Sequence, residues 1–99
     1  MKYEYEEKKN KLKIKLDEDI DMNSCRSLRT IVDGYIMRYS PSICEIDMSK
    51  VGFMDSSGLA IVMGRQKLMN SIDGSVEIRH LCGSAKKIFE MAHLEKYIT

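Results

Sequence analysis

Histidine, cysteine and tryptophan are scarce in this chain. Its 99 residues hold two His, three Cys and no Trp. Three cysteines are an odd number, and Cys25, Cys44 and Cys82 are widely spaced with no CxxC between them. That excludes a disulfide framework or a zinc site and reads as small buried hydrophobes in a reducing cytoplasm. No run approaches the roughly 18 apolar residues a membrane-spanning helix needs. The first residues, MKYEYEEKKNK, lack the apolar core of a secretory signal. A dominant charge is also missing: 16 Lys plus Arg against 15 Asp plus Glu leave a net +1. Binding to nucleic acid by neutralising many phosphates is therefore not expected. Internal repeats, linkers and low-complexity segments are absent as well.

What is present suits one small core. The hydrophobic fraction is 43%, too high for a disordered chain at this net charge, and the length allows one domain over 1–99. Six of the 16 basic residues fall in the first 15 positions. Leu12, Ile14 and Leu16 alternate there with Lys11, Lys13 and Lys15, as in a strand with one wet face. Tyr3 and Tyr5 alternate in the same way with Glu4 and Glu6. With Lys8-Lys9-Asn10 between the two runs, the segment reads as a β-hairpin. The lysine row is either an anion-binding patch or a solvated face answered by Glu4, Glu6 and Glu7 across the hairpin, and the second reading is the commoner.

An acidic loop, Asp17 to Asp21, leads into Asn23 and Ser24, both good helix caps. Cys25, Leu28, Ile31, Val32, Tyr35 and Tyr39 follow with helical spacing. The expected helix runs from about Ser24 to Met37 and stops before Ser40-Pro41. Ile43 to Met48 is a strand in which Glu45 fits poorly. A second helix starts at Ser56 or Ser57 and ends near Asn70, and Asp73-Gly74 is a turn. Val76, Ile78 and His80 alternate as a third strand of this kind. Ser84 is placed as the cap of a short helix bearing Ile88, Phe89 and Met91, and Tyr97-Ile98 as a last short strand. Strands and helices alternating at this spacing make an α/β sheet with short connections.

The segment Phe53-Met54-Asp55-Ser56-Ser57-Gly58-Leu59 carries the most information. Its plain reading is capping: Asp55 or Ser56 accepts a bond from a free N–H of the first turn. The helix that follows is apolar on two sides, with Leu59, Val62 and Met63 in one stripe and Ile61, Leu68 and Ile72 in another. A helix in a two-layer domain buries one stripe. The remainder is either core at a crowded junction or a patch for a partner, and Met22, Met54 and Met63 suit such a surface. Arg65 is either a contact for an acidic partner or a solvated helix arginine. Catalysis is not expected. No GxSxG elbow is present, nothing places His80 or His93 beside Ser56, and the glycines lack the spacing and lysine of a phosphate loop. No cofactor is called for.

Taken together, three stretches resemble one family. Leu16-Asp17-Glu18-Asp19-Ile20-Asp21 is similar to its LxGELD loop. Ile46-Asp47-Met48 with Val51 to Leu59 is similar to its central strand and phosphorylation loop. Gly83 to Leu94 is similar to its penultimate helix. The chain thus resembles the STAS-domain anti-sigma factor antagonists of Gram-positive bacteria over roughly residues 11 to 98.

That resemblance implies a STAS fold, a mixed four- to five-stranded sheet flanked by helices, in a small cytoplasmic protein. It implies phosphorylation of Ser56 by an ATP-dependent serine kinase that is itself the anti-sigma factor. The unphosphorylated form would bind that kinase and free the sigma factor, and a PP2C-type phosphatase would reset the switch. No direct contact with nucleic acid or membrane is implied. Asp21, Asp55, Ser57 and Gly58 would shape the phosphosite. Met22, Asn23, Ser24, Met54, Leu59, Met63 and Arg65 would meet the partner. Two departures stand out. Glu18 replaces the family glycine, and the chain stops at Thr99 where many relatives add a helix, which is expected to uncover some surface. The competing readings are a STAS scaffold without a phosphorylation cycle, in a signalling or lipid-transport assembly, and a nucleotide-binding enzyme.

Overall fold

A computed structural model describes residues 1–81, 83–94 and 96. Its elements in chain order are β1 (Lys2–Glu6), β2 (Lys11–Lys15), α1 (Met22–Tyr39), β3 (Ile43–Asp47), α2 (Ser57–Asn70), β4 (Ser75–Arg79) and α3 (Gly83–Met91). The four strands form one sheet in the order β1-β2-β3-β4. β1 and β2 are antiparallel, while β2, β3 and β4 run parallel. The architecture is the mixed α/β sheet read from the sequence, with four strands. The proposed strand at Tyr97-Ile98 lies outside the described residues.

The hairpin closes through Asn10, whose φ of 49° is left-handed, a conformation asparagine tolerates better than most residues. The Asn10 carbonyl accepts from the Ser42 N–H at 2.9 Å and from the Ser42 hydroxyl at 3.0 Å. The turn is thereby tied to the start of β3. Alternation then sorts the two faces of the sheet. Leu12, Ile14, Cys44, Ile46, Val76 and Ile78 are buried on one face, in a core shared with residues of α1, α2 and α3. Tyr3 and Tyr5 pair with Ile14 and Leu12 and lie on this same side. There Tyr3 stacks on Tyr35 of α1 at 3.9 Å between ring centroids, and Tyr5 stacks on Tyr39 at 4.5 Å. These rings fasten the edge hairpin to the helix.

The opposite face is polar and explains Glu45. Its carboxylate lies 2.8 Å from Arg79 Nε on one neighbouring strand and 3.1 Å from Lys11 Nζ on the other. A carboxylate fits a central strand here because both flanking strands supply cations. Glu6 meets Lys13 at 2.7 Å, and that contact holds the Glu6 carboxyl below its ordinary range. For Lys11 and Lys13 the lysine row is therefore a face answered by acids. His80 falls just outside β4 with a left-handed φ of 60° rather than continuing the alternation. Its Nδ1 lies 3.0 Å from Asp47 Oδ1, which also accepts from the Ser49 N–H at 2.8 Å. Burial pushes the Asp47 carboxyl up, but these bonds outweigh it and leave it below its ordinary value.

The cysteines behave as core residues where described. Cys25 and Cys44 are free and buried, and burial pushes the Cys44 thiol up to about 12, so it stays protonated and inert. Cys82 lies outside the described residues. No helix among them is long and apolar enough to cross a membrane.

α1 and α2 pack side by side, and Arg65 joins them. Its guanidinium reaches Asp33 on α1, with Nε 2.6 Å from Oδ1 and Nη2 donating to Oδ2 at 3.3 Å. The Arg65 side chain is 7% exposed and that of Asp33 is 38% exposed. Truncating Arg65 leaves a carboxylate that can rehydrate, so the cost falls below that of breaking a fully buried pair. Arg65→Ala is expected to lower unfolding free energy by about 1–3 kcal/mol, partly through lost packing of the arginine stem. Arg65→Met, which keeps that stem, is expected to lose less in the same urea titration.

Candidate functional site

Topology decides which loops meet. β2, β3 and β4 are parallel, so the loops leaving β2 and β3 emerge at the same end of the sheet. Those loops lead into α1 and α2, which brings both helix N-termini to the carboxyl edge, where open α/β sheets commonly place their sites. Backbone bonds then join the two loops. The Ile20 N–H donates to the Phe53 carbonyl at 2.9 Å, and the Asp55 N–H donates to the Ile20 carbonyl at 3.1 Å. Asp19 adds a side-chain bond, accepting from the Phe53 N–H at 3.0 Å.

α1 begins two residues earlier than the sequence suggests. Asp21 is its cap and accepts from the N–H groups of Asn23 at 2.9 Å and Ser24 at 3.0 Å. Ser24 closes the capping box by accepting from the Asp21 N–H at 3.2 Å, and its hydroxyl donates to the Asp19 carbonyl at 2.8 Å. Asn23 and Ser24 therefore lie in the first turn instead of preceding it. Asp21 fixes the helix start.

α2 begins at Ser57, as read from the sequence. Asp55 caps it, accepting from the Ser57 N–H at 2.7 Å through its carboxylate and from the Gly58 N–H at 3.0 Å through its carbonyl. The Leu59 N–H donates to the Ser56 carbonyl at 3.1 Å. The Ser56 hydroxyl makes no capping bond, and the residue is exposed. Capping is therefore the work of Asp55, and the Ser56 oxygen is left facing solvent. The N–H groups of Ser57, Gly58 and Leu59 already have acceptors. An added phosphoryl group would stand in water beside the Asp55 carboxylate and would gain little from the helix end.

Gly58 is buried, and the reason is Met54. A Cβ built on Gly58 would lie 2.2 Å from Met54 Sδ and 2.4 Å from its Cγ. Met54 is 1% exposed and sits in the core beneath the loop. The partner-facing assignment of Met54 is therefore corrected: its thioether fills the space under the first turn of α2. The assignment of Arg65 is corrected likewise, because its guanidinium is buried against Asp33.

The remaining apolar candidates divide. Ile61, Val62 and Met69 of α2 are buried, Leu59 is partly buried against the core, and Met63 is 57% exposed. Met63 lies two turns, about 10 Å, along the helix from Ser56. Met22 is 81% exposed at the start of α1. Phe53 was not singled out from the sequence, yet it is 51% exposed while its N–H and carbonyl are both bonded to the neighbouring loop. The available signal was an aromatic residue in a loop otherwise rich in small and polar ones. Met22, Phe53 and Met63 are thus large apolar groups held open to solvent around an uncovered hydroxyl. No cluster of metal-ligating residues occurs among the described residues.

A mixed sheet that gathers two helix starts at its carboxyl edge is shared with STAS domains. The family model for the Mlab, STAS domain matches residues 3–99, and the chain belongs to that family. An anti-sigma F factor antagonist of Paenibacillus polymyxa is 27% identical over 78 residues, spanning 79% of this chain and 67% of that protein. The anti-sigma factor antagonist SpoIIAA in its unphosphorylated form shares the fold with a TM-score of 0.84 at 19% identity, over 99% of this chain and 86% of that one. The phosphorylated form of the Bacillus cell fate determinant SpoIIAA gives a TM-score of 0.74 at 19% identity, over 99% and 89% of the two chains.

Proposed function

We propose that this protein is an anti-sigma factor antagonist, a regulatory binding module and not an enzyme. Its unphosphorylated form docks on a serine-kinase anti-sigma factor and releases the sigma factor. ATP-dependent phosphorylation of Ser56 by that kinase ends the interaction, and a PP2C-type phosphatase restores it in the cytoplasm. The observation that carries this reading is the Ser56 hydroxyl, exposed and unused at the start of α2 and flanked by solvent-facing Met22, Phe53 and Met63. The anti-sigma factor antagonists similar to this chain support the same assignment.

The switch needs no rearrangement. A phosphoserine carries about −1.5 to −2 charge at pH 7. At Ser56 that charge adjoins Asp55, whose carboxylate already holds the helix end. A partner seated over Phe53 and Met63 would have to bury the new charge or withdraw. A STAS scaffold without a phosphorylation cycle shares the fold but has no use for a serine freed of its capping role. Incubation with the cognate kinase and ATP, followed by phosphopeptide mapping, tests the assignment. Label on Ser56 is expected, and label on Ser57 or Ser84 with Ser56 unmodified would refute it.

A further inference from the structure

Beside the Ser56 surface runs a groove between α1 and α2, lined by Met22, Cys25, Arg26, Arg29, Ser57 and Ala60. Arg26 and Arg29 stand one turn apart on its α1 wall, and both are exposed. Like charges at this spacing repel each other. Asp33, one turn beyond Arg29, would be its natural helical partner, but its carboxylate is engaged by the buried Arg65 of α2. Among the described residues neither Arg26 nor Arg29 has an ion pair. The fold thus spends its nearby acid on the helix seam and leaves two guanidinium groups facing an open groove.

We infer that this groove takes an acidic segment of the partner that docks at Ser56, with a carboxylate held between Arg26 and Arg29 and an aliphatic neighbour against Met22 and Ala60. The inference rests on the reading given under Proposed function and extends it to the partner's chemistry. Two observations favour this occupant. The groove is continuous with the docking surface, since Ser57 adjoins Ser56 and Met22 belongs to both. Its charge is also opposite to that of the two adjoining loops, where Asp19 accepts from Phe53 and Asp21 and Asp55 cap the two helices. A partner must then bring an acidic element to one side of Ser56 and a basic or neutral one to the other. Such a pattern fixes orientation and register, and guanidinium suits it because its planar fork accepts a carboxylate through two bonds.

The test compares affinities for the purified serine-kinase anti-sigma factor from the same cell. The variants are Arg26→Glu/Arg29→Glu and, as a control with the same change of net charge, Lys86→Glu/Lys87→Glu on α3, where both lysines are exposed. The groove variant is expected to bind about 30-fold more weakly or worse, with a flatter dependence on salt, while the control stays within about threefold of wild type. Arg26→Gln/Arg29→Gln is expected to melt no lower than wild type, since it removes repulsion and no internal contact. If wild type binds and Ser56→Asp does not, yet the groove variant binds like the control, the inference is overturned and the reading of Ser56 stands. If wild type itself does not bind, both fail.

Discussion

Ser56→Asp is expected to weaken binding of the kinase-type anti-sigma factor by roughly 10²-fold while leaving the melting temperature within about 2 °C of wild type. The two halves of this expectation have separate causes. A carboxylate on residue 56 sets a second negative charge beside Asp55 in the middle of the proposed docking surface. Burying an unpaired charge under a partner costs several kcal/mol, and about 3 kcal/mol is roughly 10² in affinity. Stability is spared because the Ser56 side chain is exposed and makes none of the bonds that start α2. Those belong to Asp55. Calorimetric titration and thermal unfolding on the same samples check both halves. Severe unfolding with the binding loss would show that the hydroxyl holds the helix in place.

Gly58→Val is expected to act in the opposite manner, through the fold first. The valine Cβ would fall within 2.4 Å of both Sδ and Cγ of Met54, a side chain that is 1% exposed. Overpacking of this kind costs typically 1–3 kcal/mol, and a branched side chain puts the loss near about 3 kcal/mol. The small gain from replacing glycine in a helix, at most about 1 kcal/mol, does not cancel it. The net loss of about 2–3 kcal/mol, at about 4–8 °C per kcal/mol for a domain of this size, would lower Tm by roughly 8–24 °C. A double-mutant cycle with Met54→Ala isolates the cause. The double variant is expected to lose less stability than the two single losses added together. Strict additivity would show that the contact beneath the loop does not govern Gly58.

These two residues also show what a linear reading can and cannot supply. The N-terminus of α2, the hairpin and the α/β alternation were legible because they rest on local signals: capping residues, periods of 2 and 3.6, and an asparagine at a turn. The start of α1 was displaced by two residues because Asp21, Asn23 and Ser24 are all competent caps. The choice among them follows from the bonds between the Ile20 and Phe53 segments, which no local pattern records. Met54 and Arg65 looked like surface residues by type and position. Their burial depends on a neighbouring glycine and on an aspartate 32 positions away in the chain. Glu45 seemed misplaced in a central strand until Lys11 and Arg79 came to lie on either side of it.

The same limit applies to Ser56. From sequence its hydroxyl was as good a cap as Asp55, and the two roles were indistinguishable. The structure separates them, because one carboxylate takes the first-turn N–H and the serine keeps its oxygen in solvent. The helix end is then already occupied by an anion. On the proposed reading, a phosphoryl group at Ser56 would act as an obstacle to a partner rather than as a ligand of its own domain.

The most direct measurement is the affinity of one purified anti-sigma factor for two preparations of this protein, one unmodified and one phosphorylated to completion at Ser56. Blockade by charge at the docking surface gives at least about 10²-fold weaker binding after phosphorylation, with unchanged far-ultraviolet circular dichroism and melting. Equal affinities for the two preparations would contradict the account.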